Sequence, residues 1–578
     1  MHIQVDILVQ SLVTVGILLT MSKRKLEPTF DHVPEDLHFR EDMADLMLSN
    51  EISFKRGRRV CANAIKSGSK GVSDVAATGN HGRNLKNVAR DALRLFLKKR
   101  KWPPLYLASI SGVDPSTLEE KKMEVPFWLP HELIYILETK SLDPQGLKSR
   151  QDLDRKAEEH FQNCCRACQV EASACYSLGM WIDGVPFNND RSKSIDVGAL
   201  NFPGLQKDVR LPLFVLPKDL CCPATWEGVA ALMKWSFTIL TSGQMPLERH
   251  DGMPFTTQDS KRKAWAGKPV SHSFLVQVKG DWQAFKQIFQ LTSWREAVGC
   301  CFRCNIKNDK IEQCGSAASW KQPANRLTHL DNMERIWRKG QPINHFWGIP
   351  FFTCEQVYID WLHTADLGVS QLFLGSLFTL VLETLGGDKH KACKTLWTKM
   401  QKFYKVNNCQ SRLNIFKLSM LKGKNNPKLR SKAGECRELV PFGVEISAAH
   451  LGSSEEHEAA KLCAKLLAEC YHYLSKDSFD KEKLLSSIDK FALQYSALSS
   501  WAKSQGINRW PIKPKFHLMQ EMIFGAHDSL SKSWTYQEES WGGLVAAAAK
   551  RRGGKFSFLA IGKSTLLRFA AQNELPCP

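Results

Sequence analysis

Two apolar runs in this sequence end on a carboxylate. "CYSLGMWIDGVPFNND" (175–190) climbs to Trp181 and Ile182 and stops at Asp183, before a Gly-Val-Pro turn. "HSFLVQVKGDW" (272–282) stops on Gly-Asp, at Asp281. Far downstream, "SWTYQEESWGGLVAAAAKRR" (533–552) places Glu538 and Glu539 at the start of a predicted helix. Two-metal phosphoryl transfer needs hard oxygen ligands on a rigid frame, able to hold two Mg²⁺ ions about 3.5–4 Å apart. Two Asp from neighbouring strands and a third carboxylate from a helix on the sheet meet that need. Taken singly, each Asp is ordinary strand-end chemistry, because Asp and Gly-Asp are common in turns. The chemical reading rests on the three positions falling in this order.

Cysteine spacing gives a second signal. "NCCRACQ" holds Cys165-x-x-Cys168, and "CCFRCN" holds Cys301-x-x-Cys304. Each pair can offer two thiolates to tetrahedral Zn²⁺. One pair precedes the first Asp and the other follows the second, so the expectation is one four-thiolate Zn²⁺ site, with Cys164, Cys300 and Cys314 as competing ligands. The alternative is four reduced buried thiols. His363 and Asp366 lie in "DWLHTADLGV", three residues apart, and share a face if the segment is helical. Asp360 and His363 form D-x-x-H in the same stretch. "AIGKST" (560–565) resembles the end of a phosphate-binding loop, but Ser557 stands where the earlier glycine is needed and "FSFLAI" before it reads as a strand.

These residues need elements to position them. "CYSLGMWID", "SKSIDVGAL" (192–200) and "VRLPLFVLP" (209–217) read as strands separated by turns. "PATWEGVAALMKWSFTIL" (223–240) has helical spacing, and "HSFLVQVKGDW" returns to strand. Strand, strand, strand, helix, strand is an α/β order. Beyond Asp281 the chain reads as mostly helical. Residues 360–385 form a long apolar helix, and residues 455–475 an amphipathic one with Leu462, Ala464, Leu466, Leu467 and Tyr471 at apolar positions. Between them residues 408–435 are basic and loop-like.

The composition, 43% hydrophobic and 24% charged over 578 residues, is that of an ordinary globular chain with room for more than one core. A formal net charge of +20 favours polyanionic partners, nucleic acid first. The 18 Cys are too sparse for a disulfide scaffold and read as reduced thiols. The apolar run at 7–20 is too short to span a bilayer, lacks a basic stretch before it, and is followed by "MSKRK". Met21 is therefore read as a candidate true start, with the apolar leader not part of the protein, and no later segment is read as a membrane span. Residues 84–102 read as a basic helix ending in Lys98, Lys99, Arg100 and Lys101. That end is either a solvated, dipole-favoured face or a phosphate contact.

Taken together, "WIDGVPF", "KGDWQAF…CCFRC", "HTADLGVSQLFLGSLF" and "KPKFHLMQEM…SWTYQEESW" resemble the CACTA (En/Spm)-type DDE DNA transposases and their close DDE relatives. The resemblance covers residues 160–545 in patches. It implies a ribonuclease-H-like mixed sheet interrupted by a large, mostly helical insertion, with a helical and disordered basic N-terminal arm. It implies Asp183, Asp281 and Glu539 as catalytic Mg²⁺ (or Mn²⁺) ligands, with Glu538 the adjacent alternative. His363, Asp366 and His517 would be supporting residues. Where the family has Pro between the cysteines this chain has Phe302-Arg303, and its last motif has Glu-Ser for Glu-Arg. The implied activity is DNA strand cleavage and transfer in the nucleus, by a homo-oligomer acting on terminal repeats and target DNA, without a membrane partner. One ion would activate water and later a 3′-hydroxyl, and the other would stabilise the leaving oxygen.

The expected organisation is an apolar leader at 1–21, a basic arm at 22–105, a connecting helical region at 106–160 and the first part of the core at 161–290. A zinc-knuckle and helical insertion follows at 291–510, and a return to the core with an acidic helix and C-terminal tail at 511–578. Two alternatives stay open: a non-catalytic DNA-binding protein derived from a transposase, and a zinc-stabilised scaffold.

Overall fold

The computed structural model describes residues 34–575 apart from 80–86, 99, 142, 189, 207–208, 295, 297–298, 424–425 and 551–555. The leader at 1–21 and Lys99 of the basic cluster lie outside the described residues.

The first long helices among the described residues are α1 (Glu35–Leu48), α2 (Phe54–Lys66) and α3 (Val88–Leu97). Met43, Met47, Phe54, Cys61, Val88 and Phe96 bury together against Ala571 from the far end of the chain. The next segment corrects an expectation. Residues 106–160 are not simply a helical connection, because β1 (Tyr106–Val113) and β2 (Glu120–Phe127) form an antiparallel hairpin. Tyr106, Ala108 and Ile110 are buried at alternate positions, the period of a half-buried strand. Helices α4 (Pro130–Lys140) and α5 (Arg155–Cys168) follow.

The sheet that carries Asp183 is built from β3 (Tyr176–Pro186), β4 (Ser194–Asn201), β5 (Arg210–Pro217) and β6 (Ser273–Gly280), in the order β5-β4-β3-β6. β3, β4 and β5 are antiparallel neighbours, whereas β6 runs parallel to β3. Parallel neighbours need a crossover, and helix α6 (Pro223–Ser242) lies within it. The strands are buried on both faces, which is why they read as near-continuous apolar runs. A short parallel bridge, Val357 to Val278, with the Tyr358 N–H donating to the Val278 carbonyl at 2.9 Å, lines the outer edge of β6.

After β6 comes α7 (Trp282–Phe289). The chain then builds a second, separate apolar core running from Trp361 to Leu530. Its elements are a π-helix over Leu362–Ser370, then α8 (Gln371–Leu385), α9 (Lys389–Val406), α10 (Ala433–His450), α11 (Glu455–Tyr473), α12 (Lys481–Ser504) and α13 (Pro514–Phe524). The run Leu362–Leu385 is long and apolar enough to cross a membrane, and 83% of its most apolar window is buried inside the protein. Leu462, expected in the apolar face of α11, is instead 44% exposed.

Phe516, Met519, Met522 and Ile523 of α13 pack into this second core. The return to the sheet is therefore not at residue 511 but at α14 (Tyr536–Ala549), whose Val545 joins the sheet's core. The C-terminal segment is not a tail or a strand. "FSFLAI" lies at the start of helix α15 (Phe558–Gln572), with Phe558 and Ile561 buried in the same core.

Candidate metal sites

β3 and β6 pair in parallel register with Ile182 opposite Gly280, so Asp183 and Asp281 follow at the same end of neighbouring strands. Gly280 permits this closeness. A Cβ built there would lie 2.6 Å from the Ile182 carbonyl oxygen, a backbone atom that cannot yield without moving the strand. Gly280→Ala is thus expected to part the two strand ends and destabilise the protein by about 2 kcal/mol, the usual penalty of forcing atoms into a packed site. Chemical denaturation of the variant measures it. The Asp281 carboxylate caps α7, accepting the Ala284 N–H at 2.6 Å.

Helix α14 brings the third carboxylate. Trp541 packs edge-on against Trp181 of β3, ring centres 6.1 Å apart, and holds the helix across the strand that carries Asp183. The two glutamates, one helical step apart, then face different surroundings. Glu538 is fully buried and paired with Lys279 at 2.7 Å and Arg210 at 3.4 Å, and accepts from the Asn201 amide at 3.2 Å. Burial would raise its pKa, but Lys279 and Arg210 hold it below the ordinary value. It pins α14 to β4, β5 and β6. Glu539 turns to Asp183, and its Oε1 is buried with no hydrogen-bond partner.

His363 completes the cluster. Its Nε2 lies 3.7 Å from Asp183 Oδ2 and 3.5 Å from Glu539 Oε1. One ligand atom from each of Asp183, His363 and Glu539 falls within 4.8 Å of the others. Asp360 aims the ring: its Oδ2 lies 2.8 Å from both the His363 backbone N–H and Nδ1, and its Oδ1 accepts the Thr535 N–H just ahead of α14. Burial works against a charged imidazole, but Asp360, Asp183 and Asp281 together raise its pKa. The Lys515 ammonium donates to the His363 carbonyl at 2.6 Å, and burial pulls its pKa down to about 8.

Asp183 is driven well above the carboxylate range by burial and by the neighbouring Glu539 charge. Glu539 is raised to about 7, chiefly by burial, with Asp360 and Asp281 adding to it. His363 supplies at most one positive charge to these two carboxylates, which leaves the group short of cations. A carboxyl whose pKa rises on folding contributes its full stability below its ordinary pKa near 4. That contribution is lost as the pH climbs through about 7. Without divalent cations, the melting temperature should fall from pH 5 to pH 8. Added Mg²⁺ or Mn²⁺ should restore it more at pH 8, where no proton need be displaced. Thermal melts at the two pH values, with and without the ion, measure this.

Asp366 does not share a face with His363. The wider winding of the π-helix separates them. Asp366 is buried and receives the hydroxyls of Tyr471 and Tyr536, and burial raises its pKa to about 7. Since Tyr536 opens α14, Asp366 acts at one remove, fixing where that helix begins.

His517 needs a larger correction. It supports a thiol cluster rather than the carboxylates. Cys301, Cys304, His517 and Glu521 are all buried, and one ligand atom from each lies within 4.8 Å of the rest. His517 Nε2 is 3.3 Å from Cys304 Sγ and 3.9 Å from Glu521 Oε2, and the Arg303 N–H donates to Cys301 Sγ at 3.2 Å. His517 and Glu521, four apart on α13, share a face. Burial opposes a thiolate, but Cys304, His517 and the Arg303 N–H pull the Cys301 pKa well down. Glu521 is also held by the Arg326 guanidinium, at 2.8 Å for one of its two contacts.

Cys165 and Cys168 are not part of this cluster. They sit on one turn of α5, where Cys164 and Cys165 pack with Phe161, Cys175 and Phe274. Burial pushes the Cys164 and Cys165 thiols up to about 12, the behaviour of packing residues. Cys300 and Cys314, also weighed as ligands, are likewise free thiols outside the group of four. In comparisons with known proteins, no protein-family model matches the chain, and no curated protein does.

Proposed function

We propose that this protein is a DDE-type polynucleotidyl transferase, cutting and joining DNA strands at Asp183, Asp281 and Glu539, as its resemblance to CACTA-type transposases implies. The observation that carries the reading is the convergence of Asp183, Glu539 and His363 at one strand end, next to Asp281 on the neighbouring parallel strand. A ribonuclease-H-like sheet belongs to the same proposal. Its support is the strand order, three antiparallel strands with a fourth parallel to the first, and the Val357 bridge at the next edge.

The residues fit Mg²⁺ or Mn²⁺. The three carboxylates are hard oxygen donors, and Glu539 Oε1 has no hydrogen bond, with only His363 Nε2 approaching it, at 3.5 Å. When bound, the cations would polarise a phosphodiester and acidify water or a 3′-hydroxyl. The protein's own part is positional. Asp183 and Asp281 offer oxygens from rigid strand ends, and Glu539 from a helix anchored by Glu538. His363, aimed by Asp360, presents Nε2 between Asp183 and Glu539, where it can hold a proton close to the reacting phosphate. Lys515 adds a cation beside them. The surplus of +20 holds the DNA backbone, with salt-sensitive affinity.

The Cys301, Cys304, His517 and Glu521 group fits Zn²⁺, which favours thiolate and imidazole. It ties the segment just after β6 to the helix just before α14, so it fastens the insertion at both ends. Nuclear location and assembly on paired DNA ends follow from the same reading. The test is incubation of the purified protein with supercoiled plasmid. Mn²⁺- or Mg²⁺-dependent conversion to nicked circles supports strand cleavage. Salt-sensitive binding with no nicking under either ion supports a non-catalytic DNA-binding protein.

A further inference from the structure

The segment after α9 builds a cationic surface that the chemistry above does not use. One cleft of about 560 Å³ is lined by Arg191, Lys422, Lys428, Arg430 and Lys432. Its acidic residue, Glu435, is engaged in accepting the Lys432 backbone N–H at 2.7 Å. A second cleft of about 1050 Å³ shares Lys422 and Gly423 with it, so the two adjoin there. The second has an apolar floor that includes Leu382, Cys393 and Phe416, with half-buried Trp397 in its wall and Lys389, Lys394 and Lys417 at its edge. Its acidic residue, Glu383, is paired with Arg509 at 2.6 Å. Among the described lining residues, the first cleft sets one carboxylate, Glu435, against five cations, and the one carboxylate of the second, Glu383, is already paired with Arg509.

The cleft is held rigidly against the catalytic elements. Gly375 of α8 lets the loop press directly on the helix, since a Cβ there would lie 2.6 Å from Lys428 Cα and from the Leu429 nitrogen. The Leu429 N–H donates to the Gln371 carbonyl at 2.9 Å, and the Gln371 amide donates to the Ser431 carbonyl at 2.7 Å. Gln371 follows directly on the π-helix that carries His363. Arg191 comes from the hairpin that β3 enters after Asp183, and adopts a left-handed backbone with φ of 58°. The cleft thus draws cations both from the hairpin after β3 and from the loop bound to the start of α8.

We propose that the joined cleft binds one unpaired strand of nucleic acid. Its phosphates would lie against Arg191, Lys428, Arg430 and Lys432, and a base unstacked from its neighbours would enter the slot beside Trp397. Phosphate contacts provide sequence-independent, salt-dependent affinity, and an aromatic wall takes any base by its face. The clause that this strand is the one being cut rests on the function proposed above; the binding site itself does not.

The experiment uses the full chain, a labelled single-stranded oligonucleotide and fluorescence anisotropy without Mg²⁺ or Mn²⁺. The triple variant Lys428→Gln, Arg430→Gln, Lys432→Gln should bind at least about tenfold more weakly. Its salt dependence should be shallower by about 2 in slope, for three lost phosphate contacts at roughly 0.7 each. Trp397→Leu, which keeps an apolar body but loses the stacking face, should weaken binding about tenfold and leave the salt slope unchanged. A control thermal melt confirms that both variants fold. Wild-type affinity in the triple variant overturns the site. Wild-type affinity in Trp397→Leu, or equal Trp397-independent binding of duplex DNA or polyphosphate, overturns strand binding in favour of a generic anion surface. Glu539→Gln protein should bind the oligonucleotide like wild type. If wild-type protein binds in this pattern yet never nicks DNA, the cleavage reading fails and the strand site stands. If the triple variant nicks and binds normally, the reverse holds.

Discussion

Glu539→Gln is expected to abolish metal-dependent DNA nicking, by roughly a thousandfold or more, and to leave the fold intact. Its carboxylate lies with Asp183 and His363, and its Oε1 has no hydrogen bond to lose, only the 3.5 Å approach of His363 Nε2. An effect of that size is what removing a group from the reacting centre produces. The neighbouring Glu538→Gln should do the opposite kind of damage. It strips the anion from buried Lys279 and Arg210, and breaking a buried pair of that sort costs about 3–5 kcal/mol. Its activity should fall only in proportion to the folded fraction. Denaturation curves beside nicking rates separate the two. Equal stability losses in both variants, or retained nicking in Glu539→Gln, would sink the assignment.

The second large effect concerns the thiol cluster. Cys304→Ser or His517→Ala should reduce bound zinc from one equivalent to none and destabilise the protein by about 3 kcal/mol or more, since metal affinity at such a site is folding free energy. The candidate ligands come from residues 301–304 and from α13, so a metal held there would fasten a loop of more than two hundred residues. Cys165→Ser should leave the zinc content unchanged, because Cys165 is packed among apolar side chains on α5. Metal analysis after dialysis, with thermal melts, tests both. Zinc lost on Cys165→Ser and kept on Cys304→Ser would reverse the assignment.

How much of this was legible in the sequence depended on what each signal is made of. Asp183 and Asp281 were readable because buried strands are near-continuous apolar runs, and a carboxylate ending such a run stands out. Glu539 was readable only to within one residue. Helical phase decides which glutamate faces Asp183, and nothing local distinguishes Glu538 until Lys279 and Arg210 arrive from other strands. Cys165-x-x-Cys168 and Cys301-x-x-Cys304 are identical as patterns, yet one lies on a helix and the other on a knuckle with a backbone N–H aimed at sulfur. The residues that close up with Cys301 and Cys304 were present as His517 and Glu521, spaced four apart in "PKFHLMQEM", but a mixed His/Glu face on an apolar helix reads as packing. Asp360 was visible as D-x-x-H, whereas its hold on both His363 and Thr535 depends on the tertiary fold. The β1–β2 hairpin was missed although Tyr106, Ala108 and Ile110 alternate, because basic and helical signals on either side dominated the window. The π-helix, which turns His363 and Asp366 apart, has no signal in residue spacing.

The central claim is that these carboxylates are a divalent-cation site. Anomalous diffraction from crystals soaked in Mn²⁺ tests it most directly. The expected result is a peak bonded to both Asp183 and Glu539, lost in Glu539→Gln crystals and retained in Asp366→Asn. Well-ordered wild-type crystals with no peak at Asp183 and Glu539, at Mn²⁺ concentrations that support nicking, would contradict it.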